Sequence, residues 1–442
     1  MKDKELINSN SFFTSISLKE HPMQKLKSNL KVKYFSVLSS VVDRYSCNKE
    51  YSNAWLIKYD SLLMEKKSET DLYHGNNNKD IKLLLNNRLK LCHRKCRYWL
   101  LCDIALILQD KDAITEAYAF LCSYLSKKQC VLMKILLDAL FYDEEIPKSL
   151  NFVKVLITQY RVNRRFLLLP ERRIIVTANM SAGKSMLINA IVGKSITKTA
   201  QEACTSGLTY IYNKPFEDDT IHVRASPLKM NSDYSELAKL EQIDTNYISS
   251  FFNTWVKPQN RICIIDTPGV NSVLHKDHKN ITKDSIKEAN YDVLIYVLNA
   301  TKLGTEEEIR YLKYIYKNAL KEKVVFVMNK LDEFKVDEDS ILDSIKRVKS
   351  DLCEIGFEHP IICPLSAYVA MLTKRKWNGD ELTRREEKTY AFYVNMFSQN
   401  EYDFSLYYDD EKLGIKSNDE CAIMSIKCGL YSFEKILFGG SL

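Results

Sequence analysis

Gly183, Lys184 and Ser185 close the run Ala178-Asn179-Met180-Ser181-Ala182-Gly183-Lys184-Ser185, and these residue types in this order suit the holding of phosphate. A tight turn between a strand and a helix N-terminus points its backbone N–H groups inward at phosphate oxygens. Lys184 can reach the β- and γ-phosphates, and the Ser185 hydroxyl can ligate Mg²⁺. The run from Ala178 to Met186 supplies the candidate contacts. The pattern ordinarily opens with Gly, where this chain has Ala178. If the backbone there needs positive φ, the extra Cβ costs about 1 kcal/mol or somewhat more.

Two further runs sharpen the chemistry. Asn329-Lys330-Leu331-Asp332 follows the apolar Val324–Met328, and the Asp332 carboxylate can accept from both N1–H and N2–H₂ of guanine. Adenine has no such pair of donors. Ile262–Ile265 leads into Asp266-Thr267-Pro268-Gly269, where Asp266 can hold Mg²⁺ through water and the Gly269 N–H can meet a γ-phosphate. Thr205, 21 residues beyond Lys184, sits where a mobile loop could close its hydroxyl over the metal and hold the attacking water with its backbone. Ser366 and Ala367, at the end of Ile361–Leu365, can present N–H groups to guanine O6. Together these runs predict a GTP-binding domain.

The elements that must position these residues follow from periodicity. Ile174-Ile175-Val176, the Ile262 run, Asp292–Asn299, the Val324 run and the Ile361 run read as buried strands. Helical patterns lie between them, so an α/β domain with a doubly wound, mostly parallel sheet is expected over 169–442, with short helices inserted at 371–425 and a final helix over 428–438. Before it, apolar residues recur at helical spacing over 23–66, 80–109, 113–125, 131–142 and 147–165. Residues 1–168 are therefore expected to form an all-α domain, with residues 1 to about 20 a loosely held arm.

The chain has 442 residues, 45% apolar and 27% charged, and only 12 glycines. Those values suit a helix-rich globular protein. The net charge of +7 is spread along the chain, and no basic patch interleaved with aromatics marks a nucleic-acid partner. The N-terminus lacks a signal-peptide core, and the longest apolar runs reach about half of the ~20 residues that span a bilayer. The 12 cysteines form no disulfide framework, and Cys92, Cys96 and Cys102 lack the second ligand pair of a zinc site, so core thiols in a cytoplasmic protein are expected.

Ser181-Ala182-Gly183-Lys184-Ser185 with the Met186–Gly193 helix, Asp266–Ser272, Asn329–Phe334 and Gly429–Glu434 resemble the motifs of dynamin-like GTPases, the bacterial ones above all. The resemblance spans roughly 170–438. It implies a Mg²⁺-dependent GTP hydrolase in which Lys184, Thr205 and Ser181 act in catalysis and Ser185, Thr205 and Asp266 serve the metal. Val270 stands where Ras-like enzymes carry a water-orienting Gln. The resemblance supplies the substitute: K⁺ or Na⁺ at Ser181, trapped when two GTPase domains pair across the nucleotide. Met180 can position water only through its backbone. Four residues follow Phe438, whereas the family continues into stalk helices and a membrane tip. Membrane remodelling is therefore not carried over, and the expectations are a homodimer or an assembly with a helical partner, peripheral at most to a membrane. The rival readings are a nucleotide-regulated switch with little turnover and a translation-associated GTPase.

Overall fold

The computed structural model describes residues 10–19, 21–64, 78–86, 91–179, 181–197, 207–224, 228–234, 237, 245–268, 276–288, 290–334, 340–408 and 419–439. In chain order the first helices are α1 (Ser28–Tyr45), α2 (Lys49–Met64), α3 (Asn78–Asn86), α4 (Leu91–Leu108), α5 (Lys111–Cys122), α6 (Lys127–Phe141) and α7 (Lys154–Leu168). Then come β1 (Glu171–Ala178), α8 (Lys184–Val192), β2 (Leu208–Asn213), β3 (Ile221–Arg224), β4 (Leu228–Ser232), β5 (Thr245–Ser250), β6 (Arg261–Asp266), α9 (Lys276–Lys287) and β7 (Val293–Asn299). The last are α10 (Glu306–Asn318), β8 (Val324–Asn329), α11 (Ile341–Ile355), β9 (Ile361–Leu365), α12 (Ala367–Trp377), α13 (Arg384–Met396), α14 (Glu420–Lys427) and α15 (Leu430–Phe438). They group into two compact units, Met1–Leu169 with Lys214–Asp233, and Pro170–Asn213 with Tyr234–Leu442.

The first unit is helical, with the antiparallel β3–β4 hairpin added to it. Its apolar core is built on Tyr34, Leu38, Trp55, Tyr59, Leu101 and Ile104, with the thiols of Cys96 and Cys102 among them. Inside that core lies the Asp103 carboxylate, which accepts from the hydroxyls of Tyr34 and Tyr59 and from His21 Nε2 at 3.1 Å. A buried carboxylate costs several kcal/mol unless so partnered. The Cys92 side chain lies outside the described residues. The long helical run expected over 23–66 divides into α1 and α2 at Ser46-Cys47-Asn48. The expected loose arm is a correction: Phe12 to Ile16 and Leu18 are buried, Ser15 N–H donates to Asn163 Oδ1 at 3.1 Å, and Ile16 N–H donates to Asp218 Oδ2 at 3.1 Å. Aromatic and aliphatic residues at 12, 13, 16 and 18 outweigh the polar composition that suggested a free segment.

The second unit holds strands in the order β5-β2-β6-β1-β7-β8-β9. All neighbours are parallel except β2 and β6, which run antiparallel. The sheet is thus mixed and mostly parallel. β1 and β7, at its centre, are apolar over their inner lengths because helices cover both faces. Caps set the helix starts: Thr305 Oγ1 accepts from Glu308 N–H for α10, and Thr383 with Glu386 forms a capping box for α13. α15 closes the unit through Glu434, fully buried, whose carboxylate pairs with Lys374 at 2.5 Å and accepts from Trp255 N–H at 2.6 Å and Val256 N–H at 3.0 Å. Lys374 also donates to the Ile191 carbonyl at the end of α8, at 2.9 Å. Among the described residues no helix is long and apolar enough to cross a membrane.

Candidate functional site

The carboxyl ends of β1, β6, β7 and β8 bring the sequence motifs together. β1 delivers Ala178, which is buried, extended and paired with Val297 of β7. Among the described residues of the turn, Ser181 at φ 63° and Gly183 at φ 90° are left-handed. The penalty expected at Ala178 therefore does not arise, because strand geometry accepts a Cβ. Gly183 is the demanding position: beyond its positive φ, a Cβ there would collide with the Asn329 side-chain amide.

That amide explains the placement of the turn. Asn329, buried at the end of β8, donates from Nδ2 to the Ala182 carbonyl at 2.9 Å and accepts the Ala367 N–H on Oδ1 at 2.9 Å. One side chain thus joins the phosphate turn to the start of α12. Asn299, at the end of β7, is a second anchor: its Nδ2 donates to the Ser181 carbonyl at 3.3 Å, and its Oδ1 accepts from Thr301 N–H at 3.1 Å. The sequence reading missed Asn299. Its signal was a polar residue at the end of a strand beside the phosphate-binding strand, at the same relative place as Asn329, with which it pairs in register.

Beyond the turn, Lys184 opens α8 and its ammonium pairs with Asp266 Oδ1. Asp266 is fully buried, and its Oδ2 has no hydrogen-bond partner among the described residues. Asn179 Oδ1 is likewise buried and unpartnered. Such oxygens are costly to desolvate, and an acceptor-only oxygen beside a cationic and hydroxyl-bearing turn fits a metal shell. Ser185 and Met186 are half-buried in the first turn of α8, and Ser181 is exposed at the outside of the loop. Met180, Thr205, Gly269 and Val270 lie outside the described residues.

The base-reading turn follows β8. Lys330 is left-handed at φ 70° and pairs with Glu333 at 3.4 Å. Asp332 is half-buried, and burial holds its carboxyl above the usual range, against the opposing pull of hydroxyl donors on Ser366 and Tyr393. The expectation that Ser366 and Ala367 turn their N–H groups to guanine O6 meets a different arrangement. Ser366 N–H donates to the Cys428 carbonyl at 3.1 Å and Ala367 N–H to Asn329. Ser366 caps α12, accepting Val369 N–H on its hydroxyl at 3.2 Å, and these two residues frame the turn from beneath. Gly429, left-handed at φ 84°, lets the chain pass against the Pro364 carbonyl at this point.

Residues 174–331 match the family model described as Dynamin family. The probable transmembrane GTPase FZO-like, chloroplastic, of Arabidopsis thaliana is 28% identical over 207 residues, covering 45% of this chain and 19% of that protein. The bacterial dynamin-like protein of Nostoc punctiforme is 28% identical over 189 residues, with coverage of 39% and 26%. Dynamin-like protein A of Bacillus subtilis is 26% identical over 190 residues, with coverage of 42% and 15%. The chain therefore aligns with only a minor part of each of these relatives, and residues 174–331, matched by the family model, contain the phosphate turn, Asp266 and the Asn329 strand end. What the ends of the strands had suggested agrees with these matches: over residues 174–331 the chain is similar to the Dynamin family, and the relatives it matches include dynamin-like proteins and a GTPase.

Proposed function

We propose that this protein binds GTP and hydrolyses it with Mg²⁺, and that pairing of two GTPase domains raises turnover. The observation that supports it best is the junction of Lys184, Asp266 and Asn329 around one left-handed turn. Backbone N–H groups of 178–186 and the Lys184 ammonium hold the phosphates, while Asn329, Lys330 and Asp332 hold the base above the frame of Ser366 and Ala367. Ser185, Asp266 and Thr205 would hold Mg²⁺, which when bound offsets phosphate charge. Asp266 Oδ2 is the oxygen left open for that shell.

Lys184 trades its carboxylate partner for phosphate when nucleotide arrives and stays to balance the charge that grows between the β- and γ-phosphates. Thr205 and the Gly269 N–H orient the attacking water and the γ-phosphate. Ser181, with Asn179 Oδ1 behind it, would hold K⁺ or Na⁺ beside the same charge. The helical unit, Met1–Leu169 with Lys214–Asp233, couples nucleotide state to self-assembly or to a helical partner.

The test is GTP turnover against protein concentration in K⁺ and in a larger organic cation at equal ionic strength. Specific activity should rise with concentration and fall without K⁺, and Ser181→Ala should remove most of the cation response. Thr205→Ala should keep GTP affinity and lose hydrolysis. Turnover that ignores both concentration and cation would leave a monomeric switch as the better reading.

A further inference from the structure

The turn that carries Asp332 is held from a part of the chain that no motif marks. Tyr393, half-buried on α13, donates its hydroxyl to Asp332 Oδ2 at 3.0 Å. Nine residues on, Tyr402 donates to the Phe334 carbonyl at 2.7 Å. Asp332 and Phe334 are thus gripped on both sides of Glu333. The grip is itself anchored: Phe397 is fully buried between the rings of Tyr393, Tyr402 and Phe404, and Arg375 of α12 pairs with Glu386 of α13. The Tyr368 ring stands edge-on to Tyr393 at 6.1 Å.

We infer that Tyr393 is a positioning residue for guanine recognition, fixing the rotation of the Asp332 carboxylate so that both oxygens meet the base edge together. This deepens the proposed GTP reading and rests on it. A guanine edge needs two acceptors in one plane, and a free carboxylate must give up rotation to supply them. With one hydroxyl on Oδ2 and the Ser366 hydroxyl also donating, that plane is set before the base arrives. Each oxygen has a further lone pair for the base. Hypoxanthine, which lacks the 2-amino group, donates only through N1–H and gains less from a fixed plane.

The groups facing this carboxylate are Glu333 on its own turn, Tyr393 on α13, the Ser366 hydroxyl on α12 and, more distantly, the Cys428 thiol. Lys330 is taken up by Glu333. Burial pushes the Asp332 carboxyl up, and the hydroxyls pull it down by binding its charged form. Removing the Tyr393 hydroxyl must therefore raise the pH at which the carboxylate is lost.

The experiment is calorimetry of the full chain with GTP, ITP and ATP from neutral to acid pH, for wild type, Tyr393→Phe and Tyr402→Phe. Tyr393→Phe keeps the packed ring. It should weaken GTP about tenfold and ITP about threefold or less, and should move the acid midpoint of GTP binding upward. Tyr402→Phe touches only backbone, so it should weaken GTP and ITP alike with the midpoint unmoved. If Tyr393→Phe melts before binding can be measured, Tyr393→Met provides the same comparison. Equal loss for GTP and ITP with an unmoved midpoint, or no loss at all, overturns the role of Tyr393 while leaving base reading by Asp332 intact. Wild type that binds ATP as well as GTP overturns the base reading and this inference with it.

Discussion

At the phosphate end, eight consecutive residues from Ala178 to Ser185 make the turn, and side chains at three strand ends, Asp266, Asn299 and Asn329, hold it. At the base end, Asp332 is held by Ser366 and by Tyr393, the latter 61 residues away in sequence. The first is a backbone device: its shape depends on the left-handed Ser181 and Gly183 and on the absence of a Cβ at 183. The second is a side-chain device, in which separate helices each contribute one hydroxyl. A backbone device fails as a whole when one residue is wrong, whereas a side-chain device loses one hydrogen bond at a time.

The largest effect expected is at Lys184. Lys184→Ala removes the phosphate-binding charge and leaves Asp266 buried without its cation, so GTP affinity should fall at least about a hundredfold by calorimetry. A milder loss than at the base end would break the contrast. Next, Asp332→Ala should cost about 2–4 kcal/mol of GTP binding and abolish the preference over ATP. The same end should respond to acid. A protonated carboxyl cannot accept from both guanine donors, so GTP affinity is full above the Asp332 pKa and is lost as pH falls through it. Because burial raises that pKa, the loss should begin above the ordinary carboxylate range, in a titration of affinity against pH.

Gly183→Ala should cost about 2–3 kcal/mol of GTP binding or folding stability, from left-handed strain and the displaced Asn329 amide. Ala178→Gly should stay within about 1 kcal/mol in thermal unfolding, since Ala178 is already in strand geometry. A similarly small effect is expected at Asn299→Ala, about 1 kcal/mol of GTP affinity from one hydrogen bond to the Ser181 carbonyl. If all three proved equal, the turn would not depend on its left-handed residues.

What could be read from the sequence follows the same division. The phosphate turn, Asp266 and the Asn329–Asp332 turn are each short runs whose chemistry lies within the run, next to an apolar strand that announces itself by composition. Tyr393 could not be read, because in sequence it is one of 26 tyrosines, and its reach to Asp332 exists only after α13 has packed. The buried 12–18 segment was hidden for the opposite reason: its polar neighbours masked four apolar residues that only tertiary packing unites. Lys214–Asp233 belongs with the helical unit, although its sequence place is inside the sheet domain, and no local pattern records that return. Ala178 was read as a defect because a pattern letter was compared before the backbone angle was known.

The Lys374–Glu434 pair carries a consequence for how the protein is made. Burial lowers the Lys374 pKa and raises that of Glu434, so each holds its charge only because the other is there. Glu434 also receives the N–H groups of residues 255 and 256, and Lys374 donates to the carbonyl at 191. On the ribosome, the sheet and α8 emerge long before residue 434. Until translation reaches α15, an ammonium group meant for the interior has no counter-ion, and the nascent domain must leave that corner open to water. A ribosome stalled shortly before residue 430 should present a domain that proteases cut near 255, and release of the chain with α15 in place should close it.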